Sequence, residues 1–223
     1  MTQAIRVDYI GQEHVPVVVI DDFVARPDLL AADAAMLRFG PMGPHYPGVR
    51  ATVAPALVRL FVEPLSNLVR DVFSFGDVEV TEALYSLVTT SPADLTPIQR
   101  LPHFDEVEPG RLALLHFLGR GENGGTAFYR HRSTGFERVT AARLPHYRNA
   151  LAADVAARGH PDPAYIAGDT DIFEEIGMFD GLNNRALLYP SNLLHCARIP
   201  VDLNLSGDPA TGRLTVNTFL MGH

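Results

Sequence analysis

His103 and Asp105 stand two positions apart in the stretch QRLPHFDEVEPG, residues 99–110. In an extended chain, residues i and i+2 point to the same face, so these two side chains would lie together, with Phe104 on the opposite face. A neutral imidazole beside a carboxylate supplies two of the three ligands of a two-histidine, one-carboxylate metal site. The spacing therefore predicts a metal site that needs a second histidine from another part of the chain.

The second histidine is to be found among the nine that the chain contains. His195 is the best candidate because it follows the apolar run ALLYPSNLL, where it is expected to end a strand with Cys196 on the opposite face. His116 lies inside the apolar stretch RLALLHFL, where a hydrogen-bonded core histidine is the simpler interpretation. We therefore predict that His103, Asp105 and His195 are the metal ligands.

The composition is that of a globular chain with an acidic balance. Of the 223 residues, 47% are hydrophobic and 20% are charged, which suits one domain with a sizeable core. The formal net charge of −8 argues against partners such as nucleic acid or an anionic membrane surface. No apolar run has the length of a membrane span, and residues 1–14 carry no apolar signal core. A cytoplasmic protein is expected.

Two residue types limit the chemistry. Cys196 is the only cysteine in the sequence, so no disulfide can form within it. All 18 basic residues are arginines, which excludes Schiff-base chemistry on a lysine. A fixed cation that holds a substrate carboxylate must therefore be an arginine.

The hydrophobic pattern places helices before a series of strands. The stretch VPVVVIDDFV (15–24) predicts a strand, residues 26–40 predict a helix, and residues 54–76 predict further helix with a new start at Pro64. From about residue 79 the pattern changes to strands. They comprise VEVTEALYSLVTT, a hairpin in RLALLHFLGRGENGGTAFYRHR, and two final strands in NRALLYPSNLLHCARIP and GRLTVNTFLM. We predict one domain, 1–223, with an N-terminal part of about 1–78 and a mainly β core of about 79–223, built as a small barrel or jelly roll.

A helical segment of about residues 131–168 interrupts these strands. It combines arginines with aromatic residues, namely Arg132, Arg138, Arg143, Arg148, Phe136 and Tyr147. Such a mixture can attract and stack on a ligand, so we hypothesise that the segment walls the substrate pocket. The alternative interpretation is a helical cap on a sheet face or a dimer contact.

Four motifs, taken in order, resemble those of the 2-oxoglutarate/iron(II) dioxygenase superfamily, on its prolyl-hydroxylase-like side. They are PHFD, GGTAFY, ALLYPSNLLHCARIP and GRLTVNTFL, and they span about residues 100–220. That family carries a His-x-Asp pair, a hairpin with two glycines, a distal histidine and a basic residue on the next strand. The turn VDLNLSGDPAT before the last motif is longer here than is usual in the family.

The resemblance implies a fold and a set of cofactors. The fold is a mainly β domain with flanking helices and a double-stranded β-helix (jelly roll) core. The metal is iron(II), held by His103, Asp105 and His195.

The co-substrate implied by the resemblance is 2-oxoglutarate. Arg213, with Thr215 on the same strand face, would bind its distal carboxylate, which suits the planar fork of a guanidinium. We include Tyr85 among the cofactor-binding residues.

The resemblance also implies an activity. An enzyme of this family couples the decarboxylation of 2-oxoglutarate to succinate with the oxidation of a substrate C–H bond, and hydroxylation is the default outcome. The prime substrate stays open among small molecules, amino acids and peptides, and a homodimer stays open as well. The alternatives are a cupin-like metalloenzyme that does not use 2-oxoglutarate, which would have no need of Arg213, and a non-catalytic binding module.

Overall fold

The computed structural model describes residues 3–62, 65–121 and 123–223. Its strands form two antiparallel sheets, one with the order β1-β2-β8-β5-β10-β4-β3 and one with the order β7-β6-β9. The strands are β1 Ala4–Ile10, β2 Val15–Asp21, β3 Gly48–Thr52, β4 Val78–Val88, β5 Arg111–Phe117, β6 Gly125–His131, β7 Phe173–Asp180, β8 Ala186–Pro190, β9 His195–Arg198 and β10 Leu214–Gly222. The helices are α1 Pro27–Ala35, α2 Pro55–Val62, α3 Ser66–Phe73 and α4 Leu144–Arg158. The predicted helix start at Pro64 lies outside the described residues.

The seven-stranded sheet has a hydrophobic cluster on each face, because successive side chains of a strand point to opposite faces. Leu112 and Leu114 of β5 pack with residues of α1, α2 and α3 on the outer face. Ala113 and Phe117 of the same strand point the other way, toward Phe128 of the three-stranded sheet. We call the region between the two sheets, part of which this second cluster fills, the inner cavity.

The predicted hairpin of residues 111–132 is wrong in its pairing, although both of its strands exist. β5 pairs with β10 and β8, whereas β6 pairs with β7 and β9 in the other sheet. The turn at Asn123-Gly124 therefore carries the chain from one sheet to the other. Gly124 has a φ of +61°, and a Cβ there would lie 1.9 Å from the carbonyl oxygen of Arg198. The glycine is needed for this close approach of two backbones rather than for a hairpin turn.

The stretch NRALLYPSNLLHCARIP also forms two strands in different sheets rather than one strand. β8 pairs with β2 and β5, and β9 pairs with β6. His195 consequently begins a strand, whereas the sequence analysis expected it to end one. Chain crossings between two facing sheets are the pattern of a jelly roll. The prediction of a mainly β fold with flanking helices and a double-stranded β-helix core is confirmed.

Helix α4 lies against the outer face of the three-stranded sheet. Tyr147 of α4 is buried in a cluster with Tyr129 and Phe173 of that sheet. In this position the helix covers a sheet face, which agrees with the alternative interpretation of the segment as a helical cap. None of the described helices is long and apolar enough to span a lipid bilayer.

Candidate metal centre

His103 and His195 are brought together by their backbones. The amide of His103 donates to the carbonyl oxygen of His195 over 2.9 Å, and the amide of His195 donates back over 2.8 Å. The amide of Asp105 then donates to the carbonyl oxygen of Ser191 over 2.8 Å. Residues 103–105 thus extend along the start of β9, although they form a single bridge rather than the beginning of a regular strand.

The side chains of His103, Asp105 and His195 converge at one point. One ligand atom from each lies within 4.8 Å of the other two. Nε2 of His103 is 3.8 Å from Oδ1 of Asp105, and Nε2 of His195 is 3.7 Å from Oδ2. These separations are too long for hydrogen bonds and leave room for one ion between the three groups.

A hydrogen bond fixes the orientation of the His195 ring. Nδ1 of His195 lies 2.8 Å from the carbonyl oxygen of Leu193, so Nδ1 carries the proton and Nε2 keeps its lone pair. A backbone carbonyl on the far nitrogen is the usual partner of a metal-binding histidine. The ring is therefore held with Nε2, the nitrogen that can bind a metal, directed toward Asp105.

The electrostatics of the centre favour an unprotonated imidazole. More than half of the His103 side chain, 56%, is exposed. Desolvation on its buried side, followed by the positive charges of the neighbouring His195 and Arg50, nevertheless lowers the pKa of His103 below its ordinary value. Burial raises the pKa of Asp105 in spite of the opposing effect of His195 and Arg50. A neutral imidazole is the form that binds a metal, and a cation would stabilise the Asp105 carboxylate against this burial.

Arg213 is a buried cation that also lies between the two sheets, with its guanidinium 5.3 Å from the ring centre of Phe117. Its side chain is 3% exposed and donates to the carbonyl oxygens of Asn123 and Gly125, over 2.6 and 3.0 Å. Burial lowers its pKa. Within the described part of the chain, no carboxylate lies at ion-pairing distance from this guanidinium. The next inward-facing residue of the strand, Thr215, is 1% exposed.

The predicted cofactor-binding residue Tyr85 does not face the inner cavity. It lies opposite Val216 in the pairing of β4 with β10, and both belong to the cluster beneath the outer helices. Its hydroxyl donates to Oδ2 of Asp33 over 3.0 Å. The neighbouring residue Ser86, which lies opposite Thr215, is the one that faces inward. Tyr85 and Ser86 point to opposite faces because successive side chains of a strand alternate, so a shift of one residue exchanges the two faces.

Tyr46 is a cavity residue that the sequence analysis missed. The guanidinium of Arg50 lies 3.9 Å from the centre of its ring, and the positive charges of Arg213 and Arg50 act on its hydroxyl. The hydroxyl is buried and approaches Ser86, but no described group forms a well-aligned hydrogen bond with it. Burial raises its pKa. Tyr46 lies in the loop GPMGPHYPG, which has no periodicity that could have revealed this position.

The segment between α4 and β7 also reaches the cavity. The hydroxyl of Tyr165 donates to the carbonyl oxygen of Thr90 over 2.8 Å, and the charge of Arg213 acts on it. The loop after the helix, rather than the helix itself, therefore approaches the buried arginine.

The fold and the site together define a double-stranded β-helix protein with a candidate two-histidine, one-carboxylate centre. The chain belongs to the family DUF6445, described as a family of unknown function, whose model matches residues 1–220. No curated protein matches the sequence.

Solved structures of HygX from Streptomyces hygroscopicus share the fold. The structure with nickel and 2-oxoglutarate bound is 13% identical, with a TM-score of 0.51 over 94% of this chain and 84% of that chain. The structure with iron bound is also 13% identical, with a TM-score of 0.52 over 94% of this chain and 83% of that chain. At these identities the likeness concerns the fold.

Proposed function

We propose that this chain is an iron(II)- and 2-oxoglutarate-dependent oxygenase. The observation that carries the proposal is the convergence of His103, Asp105 and His195. The buried Arg213, which pairs with no carboxylate among the described residues, adds to it. Two histidines and one carboxylate are the ligand set of non-haem iron(II) oxygenases. HygX, which shares the fold, has been solved with iron and with 2-oxoglutarate.

The metal would be held by Nε2 of both histidines and by the carboxylate of Asp105. Both histidines are suited to this role, since the pKa of His103 is lowered and the proton of His195 is held on Nδ1. Iron(II) bound there would supply open coordination positions for a 2-oxo acid and for dioxygen.

The distal carboxylate of 2-oxoglutarate would pair with Arg213. A buried charge is costly unless it is paired, and a dicarboxylate that enters the cavity brings the missing partner. Thr215 lies on the same face of β10, and the hydroxyl of Tyr46 is free to donate a further hydrogen bond. We therefore assign Tyr46 the role that the sequence analysis gave to Tyr85.

The overall reaction balances without another redox partner. One atom of dioxygen enters succinate as 2-oxoglutarate loses carbon dioxide, and the other enters a C–H bond of the substrate to give a hydroxyl group. Both electron pairs that reduce dioxygen come from these two oxidations.

The test is an anaerobic titration with iron(II) and 2-oxoglutarate, followed by admission of air and measurement of succinate. We expect one iron per chain and slow succinate formation in the wild type. Both should be lost in Asp105→Ala, while the control Glu106→Ala, which removes an adjacent exposed carboxylate, should behave as the wild type.

Two results would contradict the proposal. Equal iron binding in the wild type and Asp105→Ala would show that the metal lies elsewhere. Iron binding without any binding of 2-oxoglutarate would favour the cupin-like alternative.

A further inference from the structure

Arg50 faces the inner cavity from the edge strand β3. It lies opposite Ser86 of β4, which in turn lies opposite Thr215 of β10, so all three share one face of the sheet. The side chain packs its guanidinium over the ring of Tyr46. Its positive charge acts on both His103 and Asp105.

Arg111 reaches the same centre from β5. Its carbonyl oxygen accepts the amide of Ser191, and the carbonyl oxygen of Ser191 accepts the amide of Asp105. The guanidinium of Arg111 lies 5.6 Å from the ring centre of Phe219, which points inward from β10. Its charge also acts on the carboxylate of Asp105.

The two guanidinium groups lack the carboxylate partners that Arg130 and Arg185 have. Arg130 pairs with Glu137 over 2.6 Å, and Arg185 pairs with Asp21 over 2.6 Å. By contrast, Nε of Arg50 and Nε of Arg111 are buried and have no hydrogen-bond partner in the described structure. No ion pair joins either of them to a carboxylate in that part of the chain.

These unpaired donors need an acceptor. A buried N–H group without a partner is destabilising, and more so when the group is charged. Asp105 is not that acceptor in the described structure, because neither of its oxygens lies at ion-pairing distance from Arg50 or Arg111. Arg213 is a separate site, because the carbonyl oxygens of the Asn123–Gly125 turn hold it.

We propose that Arg50 and Arg111 bind an anionic group of the prime substrate, a carboxylate or a phosphate, next to the metal centre. The inference rests on the proposed function and adds the substrate class to it. Arginine forks form paired hydrogen bonds with either group. The aromatic rings beneath both guanidinium groups keep the forks in place for this contact.

The test uses manganese(II) as a paramagnetic substitute for iron, with the full-length chain and saturating 2-oxoglutarate. Inorganic phosphate, followed by ³¹P NMR, and acetate, followed by ¹H NMR, are the probes. We expect saturable relaxation enhancement of at least one probe in the wild type. Arg50→Gln and Arg111→Gln should each weaken that binding by roughly tenfold or more, since a hydrogen bond to a charged group contributes about 1.5–3 kcal/mol.

The control is Arg38→Gln, which removes the same charge from an exposed position after α1 and should leave the relaxation unchanged. A preference for phosphate or acetate identifies which anion the site takes. If the wild type holds manganese and 2-oxoglutarate but gives no saturable enhancement, this inference is wrong and the proposed function stands.

Two further outcomes are informative. If Arg50→Gln or Arg111→Gln also loses 2-oxoglutarate, these arginines serve the co-substrate and the inference is overturned. If the wild type holds neither manganese nor 2-oxoglutarate, the proposed function fails together with the inference.

Discussion

His103 and His195 exchange two backbone hydrogen bonds, of 2.9 and 2.8 Å, and so join two distant parts of the chain at a single point. Their rings lie 4.4 Å apart, with Asp105 within reach of both. Because the bridge is made by the main chain, it holds the backbones of the two histidines in place without a bound ion, and the hydrogen bond to Leu193 orients the His195 ring. The candidate centre is therefore preorganised.

Arg213→Gln should weaken the binding of 2-oxoglutarate while metal binding persists. Loss of a charged hydrogen bond of about 1.5–3 kcal/mol corresponds to a roughly tenfold to hundredfold weaker affinity. Arg213→Lys keeps the charge but not the planar fork, so its affinity for 2-oxoglutarate should lie between those of the wild type and Arg213→Gln. Anaerobic titration checks the affinity, and an unchanged value in Arg213→Gln would mean that a different arginine holds the distal carboxylate.

Tyr46→Phe should lower the affinity for 2-oxoglutarate, whereas Tyr85→Phe should lower the stability of the fold. Tyr46→Phe removes a hydroxyl without a well-aligned partner, so stability should be retained while 2-oxoglutarate affinity falls roughly threefold to tenfold. Tyr85→Phe breaks the hydrogen bond to Asp33, so about 1 kcal/mol of stability should be lost with no change in affinity. Urea denaturation and co-substrate titration of both variants check this. The reverse pattern would restore the original assignment of Tyr85.

His116 should make the protein sensitive to acid. It is 1% exposed, its Nε2 lies 3.0 Å from Oδ1 of Asn184, and burial lowers its pKa to about 4. The ring is neutral in both states above the unfolded pKa of about 6.5. Below that pH the unfolded chain binds the proton first, so stability falls by about 3 kcal/mol between pH 6.5 and pH 4.

The variant His116→Gln isolates this effect, because it keeps a donor for Asn184 but does not titrate. The difference in unfolding free energy between wild type and variant should be constant from pH 7 to 9. It should then move against the wild type as the pH falls through 6.5 toward 4. A difference that stays constant over the whole range would show that His116 is protonated as easily in the folded protein as in the unfolded chain.

Tyr147→Ala should strongly destabilise the protein, because α4 covers the outer face of the three-stranded sheet. Tyr147 is 4% exposed. The centre of its ring lies 5.2 Å from the ring centre of His131 and 6.0 Å from that of Phe104. Removal of a buried aromatic side chain costs about 3–5 kcal/mol. The control Tyr9→Ala, at a position that is 63% exposed, should change stability by less than about 0.5 kcal/mol. Equal effects in denaturant titrations would mean that α4 is not part of the packed structure.

The sequence predicted those features that depend on local spacing. The i, i+2 rule brought His103 and Asp105 to one side even though their segment is not a regular strand. The same rule predicts a common face for Arg213 and Thr215, and both residues are buried. The apolar environment of His116 correctly indicated a hydrogen-bonded core histidine.

Features that depend on pairing between distant segments could not be predicted. Two apolar runs around a glycine-rich turn are equally compatible with a hairpin and with a crossing between sheets, and only the competing partners of β5 decide between them. Alternation also does not say which face of β4 is inward, so the sequence alone cannot distinguish Tyr85 from Ser86 as the inward-facing residue. Tyr46 lies in an irregular loop, where no period exists to be recognised.

The position of β10 has a consequence for how the chain acquires its structure. Residues 214–222 lie between β5 and β4, in the interior of the seven-stranded sheet. On the ribosome, the group β1-β2-β8-β5 and the group β3-β4 therefore remain two separate sheets with open edges until these residues emerge. Pairing between segments so far apart in sequence is slow, and unpaired edges are prone to aggregation. We therefore expect a nascent chain of this protein to expose the edges of β5 and β4 until β10 pairs with both.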